Sequence, residues 1–480
     1  MSIKLIGYAP DIDPITPGTL IDCSAFISST KGMQTAPSAV SANVGGLASA
    51  CLGLVTYRKV DNTSRTIAGT ATKLYELSGS TWNDVSGAAY GASATVRWSF
   101  AEFGNVTLAA NKSDFVQASI TGAFATVSGT APKAAFIDTV NQFVFLANVN
   151  DGTDKTDGWA CSALGDYTNY APSTITQAAN GRLTDTPGPF TGLRRLGDNI
   201  VLYKRRAVYV GVYTGPPIIW SFKLSSSDTG AVNNDTIASI DYMHYYMGED
   251  DFYFFDGSRP VPFGQPIKET VYTELDRTQL HLCKSLVDQK RNRIYFYYPR
   301  SDGGGYANRC VVYNYRTQRW GRDDRSVEAT GLYVSPGITY DGLGTLYSTY
   351  DGFPLAPYES AWLSSAVETP AIVDTSHMLN TLTGTPGTGF FRLGDYGDNF
   401  TYKTVTRMQC RFTVEPTSGS LTNYHKESSG AQYTEDQTVP LTKHRFDFLR
   451  AARWHSAKVT LTGPADMIEF DYEQVPAGEE

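Results

Sequence analysis

Charge is what this 480-residue chain has little of: Asp, Glu, Lys and Arg make up 18% of it, against roughly a quarter in an average soluble protein. The net charge is −8 and no long basic run occurs. That excludes a dedicated grip on nucleic acid, because phosphate binding is built from clustered Lys and Arg. A passive DNA conduit is not excluded, since a wall that does not attract phosphate lets a duplex slide. The densest cationic stretch, "YKRRAVY" at 203–209, reads as a solvated strand end. Long apolar runs are absent too: no window approaches roughly 18 consecutive apolar residues, and "MSIKLIGYAPDIDP" has no apolar signal core. The expectation is a soluble protein with no membrane segment, made and assembled in a cytoplasm.

Reactive motifs are equally sparse. Cys23, Cys51, Cys161, Cys283, Cys310 and Cys410 are scattered without CxxC or Cys/His ligand spacing, so reduced, buried thiols are expected. His244, His281, His377, His425, His444 and His455 form no metal-ligand spacing. His244, in "DYMHYYMG", reads as a packed strand histidine. "DGTDKTDG" at 151–158 lacks the Asp-x-Asp-x-Asp-Gly run and later Glu of a calcium loop and reads as a turn-rich tip, with an adventitious Ca²⁺ site as the alternative. "GEDD" at 248–251 is acidic by density alone and reads as a solvated loop. No Walker-type loop and no GxSxG elbow occurs, and "DGGGYAN" at 302–308 reads as a hairpin tip. No catalytic, cofactor-binding or metal residue is assigned, no cofactor is expected, and the binding residues stay unknown.

What the chain does have is aromatic residues, 12% of the total with 30 tyrosines, and 44 glycines, a composition that favours strands and turns. Residues 1–60 stand apart. "GYAPDIDPITPGTLIDC" carries Pro10, Pro14 and Pro17 and reads as an extended arm; "SAVSANVGGLASACLGLV" reads as irregular, tightly packed chain. From 61 to 364 aromatic strands such as "QFVFLANV" (142–149), "NIVLYKRRAVYVGVY" (199–213), "DFYFFD" (251–256), "RIYFYY" (293–298) and "TLYSTYD" (345–351) alternate with turn clusters. Asp151-Gly152, Asp256-Gly257, Asp341-Gly342 and Asp351-Gly352 are the pairs that tight hairpins favour. The spacing predicts an all-β fold, a β-propeller of about six or seven irregular blades. "IKETVYTELDRTQLH" (267–281) is the one short helix expected.

Three tyrosines stand seven positions before a tryptophan: Tyr75 before Trp82, Tyr213 before Trp220 and Tyr313 before Trp320. Two-residue loops at Ser78-Gly79 and Arg316-Thr317 would set the first and last pairs face to face, and "TGPPII" demands a wider loop for the middle one. The recurrence suggests one unit repeated. After 365, "TPAIVDTSHMLNTLTGTPGTG" reads as a linker. The strands of "TYKTVTRMQCRFTVEP", "HRFDFLRAARWHSAKVTLTG" and "MIEFDYEQV" predict a small β-sandwich-like domain over 365–480. Arg445, Arg450, Arg453 and Lys458 lie among aromatics there. They read as a strand pair with arginines stacked on rings, or as a docking surface for an acidic partner.

A glycosidase is the enzyme class that this propeller reading must be weighed against. Of the sialidase Asp-box only "GSTW" (79–82) fits, and Leu77 occupies the Asp position. Nothing points to the two carboxylates, about 5–10 Å apart, that glycoside hydrolysis requires. The expectation is therefore not an enzyme.

Several segments together resemble the tail hub or nozzle proteins of short-tailed bacteriophages, also called packaged-DNA stabilisation or head-completion proteins. They are "GYAPDIDPITPGTLIDCSAFISSTKGMQTAPS" (7–38), "AGTATKLYELSGSTWNDVSG" (68–87), "WSFAEFGNVTLAAN" (98–111), "AFIDTVNQFVFLANV" (135–149) and "RFDFLRAARWHSAKVTLTG" (445–463). The likeness runs through most of the chain in order. It implies a structural virion protein of the tail, a homohexameric ring below the portal and its adaptor that closes the filled capsid. Such a ring forms the DNA-ejection conduit without sequence-specific binding and offers docking ground for tail fibres or tailspikes. On this view residues 1–60 and 365–480 would form the platform that meets the adaptor. The alternative is a carbohydrate-binding receptor-recognition propeller or a glycan-cleaving tail enzyme.

Overall fold

A computed structural model describes residues 3–60, 63–334 and 368–476. Six four-stranded antiparallel sheets stand alone, and a seventh four-strand meander opens a ten-stranded sheet. In chain order these blades span 53–84, 99–126, 133–182, 190–226, 238–262, 284–322 and 327–384, and we number them 1 to 7. The first strand of each blade lies beside the first strand of the next, and Val327–Val334 of blade 7 returns to Gly53–Arg58 of blade 1. The chain is an all-β propeller. Its ring is closed by mixed donation: the outermost strand of blade 7, Ser38–Ser41, comes from the N-terminal end and pairs with Leu379–Gly384.

The strands follow from the sequence pattern. Phe143–Asn150 of blade 3 is buried on both faces. Phe143, Phe145 and Ala147 enter the core shared with blade 4, while Val144 and Leu146 enter the core shared with blade 2. Strict alternation would send Val149 towards blade 4. Asn148, at φ +57, inserts a bulge there, which shifts the register by one and puts Val149 on the blade 2 side. Separate hydrophobic clusters fill the interfaces of blades 1 and 2, 4 and 5, 6 and 7, and 7 and 1. Each large side chain in them contributes roughly 1.5–3 kcal/mol of burial. Trp98 shows how close the blades come: its indole lies over Gly69 of blade 1 and donates Nε1–H to the Thr70 carbonyl at 2.8 Å.

The remaining strands form a β-sandwich. One sheet contains Met33–Thr35, Asp466–Pro476, Lys403–Val414 and Arg445–Ala452; the other contains Thr19–Ser24, Thr388–Leu393, Trp454–Thr462, Ser418–Lys426 and Thr434–Pro440. The first sheet is continuous with blade 6, because Phe26–Ser28 pairs on one side with Arg319–Arg322 and on the other with Met33–Thr35. A single hydrophobic cluster runs from Phe252, Phe296 and Trp320 of the propeller to Met408, Phe446 and Val459 of the sandwich.

Several expectations change. The arm is extended, but its short strands serve three different sheets. The boundaries expected at 61 and 365 fall at residues outside the described ones; the described strands on either side of each, Gly53–Arg58 with Ser64–Gly69 and Val327–Val334 with Glu368–Asp374, are paired. The segment 369–389 is no linker: it supplies strands to blade 7 and the sandwich, its Thr-rich runs being hydrogen-bonded ladder. Arg445–Ala452 and Trp454–Thr462 do not pair with each other; the chain crosses between sheets at Arg453. In Asp151-Gly152 and Asp256-Gly257 only the glycine has positive φ, so neither is the mirror-image two-residue turn. The strand expected at 345–351, the pairs Asp341-Gly342 and Asp351-Gly352, and position 364 lie outside the described residues. The expected helix is present as Lys268–Glu274, followed by a tighter turn over Arg277–Leu282.

The Tyr–Trp recurrence has a structural place: all three tryptophans sit on the fourth strand of a blade, in the hairpin with the third. Tyr213 faces Trp220 and Tyr313 faces Trp320, with ring centroids 5.6 and 4.7 Å apart. The loop before Trp320 spans four residues, 315–318, rather than two. In blade 1 the turn is Gly79-Ser80, so Trp82 faces Leu77 and Tyr75 faces Asp84.

Candidate functional site

The first strands of the blades surround a central channel. A cavity of about 270 Å³ within it is lined from blade 1 by Leu54, blade 2 by Arg97 and Trp98, blade 4 by Arg194, and blades 5 to 7 by Ser239, Lys284 and Thr330. It shares Arg97, Trp98, Ser99, Asn234 and Asp235 with a second cavity of about 440 Å³. This mouth is walled by the connections that precede the first strands and by hairpin tips of blades 2 and 4.

An ion network fills the narrow part. Arg97 Nε lies 3.2 Å from Asp235 Oδ2, and Arg97 Nη2 donates to the Glu328 carbonyl at 2.7 Å. Lys284 Nζ donates to the same carbonyl at 2.7 Å. The buried Glu328 carboxylate accepts from the Cys51 amide at 2.8 Å and from His377 Nδ1 at 2.9 Å. Burial pushes the Lys284 ammonium down to about 7, with the Arg97 charge acting the same way and Asp235 opposing. His281 is lowered by burial and then by Arg97 and Lys284. Asn233 holds the wall in shape: its Nδ2 donates to the carbonyls of Leu280, His281 and Cys283, and its Oδ1 accepts from Asp235 N at 2.7 Å. Among the residues lining the two cavities Asp235 is the one carboxylate, and Arg97 is paired with it.

The groups picked out in the sequence fall elsewhere. His244 is a fully buried strand histidine between blades 4 and 5. Asp151, Asp154 and Asp157 diverge to three different cations, Lys155, Lys112 and Arg182. "GEDD" is not simply solvated: Asp251 is buried and accepts from the amides of Phe252 and Gly264 at 2.7 and 3.0 Å, tying blade 5 to the helix that follows. "YKRRAVY" divides likewise. Arg205 and Arg206 form an exposed tip, but Lys204 is buried and donates to the carbonyls of Leu183 and Thr186 at 2.7 and 2.6 Å. In the sandwich Arg453 stacks over Tyr402 and Lys458 over Phe390, whereas Arg445 pairs with Asp447, and Arg450 with His425 and Asp436. All six cysteines are buried and unbridged. Among the described residues no group of three or more His, Cys, Asp or Glu could hold a metal ion, and no helix is long and apolar enough to cross a membrane.

Sequence reasoning missed the channel residues. Arg97, Asp235, Lys284 and Glu328 are isolated in the chain and form no motif; only the ring brings them together. A usable signal was their position, each in or next to the opening strand of a blade.

No known family model matches the chain, and no curated protein matches it. Solved structures share limited geometry. YCF48 bound to D1 peptide overlaps with a TM-score of 0.38 at 9% identity, over 73% of this chain and 96% of that one. YCF48 from Cyanidioschyzon merolae gives 0.36 at 11% identity, over 72% and 98%. An exo-beta-1,3-galactanase from Phanerochaete chrysosporium gives 0.29 at 10% identity, over 91% and 100%. The fold assignment rests on the strand pairing described above.

Proposed function

We propose that this chain is a structural virion component, a subunit of the tail hub or nozzle ring that closes the DNA-filled capsid below the portal and its adaptor. Six copies surround the ejection conduit, fibres or spikes dock on the outside, and the subunit catalyses no reaction. The observation that carries this reading is mechanical. A ten-stranded sheet runs from blade 6 through Phe26–Ser28 and Met33–Thr35 into the sandwich, and one hydrophobic cluster spans both bodies. Propeller and sandwich thus resist relative motion, as a wall under internal pressure must. The sequence resemblance to tail hub proteins supports this reading of the ring.

The test is the mass of the purified full-length protein, with and without the adaptor, followed by imaging of the assembled particle. A six-membered ring beneath the portal is expected. A chain that stays monomeric in all conditions and binds or cleaves a surface polysaccharide would replace this reading with a glycan-directed one.

A further inference from the structure

The channel mouth has a charge balance opposite to that of the whole chain. Cations reach it from separate connections: Arg97 ahead of the first strand of blade 2, Lys112 after the second, Arg205 at the blade 4 hairpin tip, and Arg277 in the turn between blades 5 and 6. Asp235, the one carboxylate in that lining, is paired with Arg97. Lys112 is shared between Asn148 Oδ1 at 2.6 Å and Asp154 at 3.0 Å. Arg205 and Arg277 are exposed, and among the described residues neither side chain makes a hydrogen bond or an ion pair. The net charge of the protein is −8, so this concentration of positive charge is local.

Two unpaired guanidinium groups facing one cavity suit a tetrahedral oxyanion. Each presents a planar fork of donors that can hold two oxygens at once, and a recessed cleft of one sign focuses the field on its ligand. The hydroxyls of Thr191 and Thr278 in the lining are already donated, to the Ala231 carbonyl at 2.7 Å and to Asp276 Oδ1 at 2.6 Å, so the grip falls on the cations. Its volume of about 440 Å³ lies in the range of small-molecule sites, roughly 300–1,000 Å³, and exceeds what a single phosphate needs. We propose that the channel mouth binds a small polyanion carrying two or more phosphate or sulfate groups, gripped by Arg205 and Arg277 at the rim with Lys112 deeper in the wall. The site is independent of the ring assignment, since it lies within one subunit.

The experiment is calorimetric titration of the full-length protein with two probes, sodium tripolyphosphate and a trisulfated heparin disaccharide. Binding of either probe is expected, weakening as sodium chloride is raised from about 50 to about 300 mM, and the tighter probe identifies the source of the oxyanion. The double variant Arg205→Ala/Arg277→Ala should lose at least tenfold in affinity with an unchanged melting temperature, because both side chains are exposed. Arg206→Ala, a neighbour outside the cavity lining, should bind as the native protein does. Absence of binding by both probes overturns the proposal, and so does equal affinity in the double variant.

Discussion

The hydroxyl of Tyr203 lies 2.7 Å from Nδ1 of His244, and Nε2 of the same ring lies 2.8 Å from the carbonyl of Arg195. A carbonyl can only accept, so Nε2 carries the proton and Nδ1 accepts from the tyrosine. One neutral tautomer satisfies both partners, and protonating Nδ1 would break the bond to Tyr203. Both side chains are fully buried where blades 4 and 5 meet.

This pairing makes the propeller acid-sensitive in a defined window. Burial lowers His244 from 6.5 to about 4. Between those values the unfolded chain takes up a proton that the folded chain refuses, so stability falls as pH drops from 6.5 towards 4. The loss is about 3 kcal/mol, at roughly 1.4 kcal/mol for each tenfold difference in proton affinity between the two states. Denaturant midpoints measured at pH 7, 5.5 and 4 should show this loss in the native protein. His244→Gln keeps a donor for Arg195 and has no titrating ring, and should remove that part of the slope. Identical slopes in the two proteins would refute the assignment.

Lys284 sets the opposite edge of the pH range. Its folded value of about 7 lies below the ordinary 10.5, so the buried charge is a full penalty below pH 7. The penalty shrinks as pH rises through 7 towards 10.5, because there the unfolded chain holds the proton more tightly. The ceiling is about 5 kcal/mol. Lys284→Met should therefore stabilise the protein by a few kcal/mol at pH 6 and by progressively less at pH 8 and 10, read from denaturant midpoints. The Glu328 carbonyl retains Arg97 as a donor in that variant. A destabilised variant at pH 6 would show that the lysine is held by more than one carbonyl.

Interblade packing is testable at Gly69. A Cβ there would come within 2.3 Å of Trp98 Cδ1, and the indole is pinned by its bond to Thr70 and by its backbone packing against Gly53. Gly69→Val should cost at least about 1–3 kcal/mol, the usual scale of overpacking, with a shift in tryptophan emission. Unchanged emission and melting temperature would mean that blades 1 and 2 can separate without cost.

How much of this was legible in the chain depends on the range of the signal. Local alternation is short-range, so "QFVFLANV" and "RIYFYY" read correctly as strands, and the pairs Tyr213–Trp220 and Tyr313–Trp320 could be placed from spacing alone. The Tyr75–Trp82 pairing failed by two residues because the turn sits one residue later, at Gly79-Ser80, where Gly79 takes positive φ. The place of the arm was illegible for a long-range reason: Ser38–Ser41 completes a blade whose other strands lie more than 280 residues later, and no local pattern encodes that partner. Thr-rich 379–389 lacked the aromatics that marked other strands, so its ladder was invisible until its neighbours were known. The channel network was illegible for the same reason, being assembled from single residues of four blades.

The link between propeller and sandwich can be cut at one atom. Gly32 lies between Phe26–Ser28 and Met33–Thr35, the two arm strands that join blade 6 to the C-terminal sheet. Ser29 holds this turn by accepting from Gly32 N at 2.9 Å and donating to Asp466 Oδ1 at 2.7 Å. A Cβ on Gly32 would lie 2.0 Å from the Met467 carbonyl oxygen and 2.7 Å from Ile468 Cα. These are backbone atoms of a paired strand, so they cannot turn aside as a side chain would. Gly32→Ala should push the arm hairpin off Asp466–Pro476 and break the continuous sheet while leaving the blade cores intact. Hydrogen exchange followed by mass spectrometry should then show faster exchange in 403–414 and 466–476, with protection of Phe143–Asn150 in blade 3 unchanged. If both regions keep their native protection, the shared sheet does not couple the two bodies, and the mechanical argument for a ring-wall subunit loses its support.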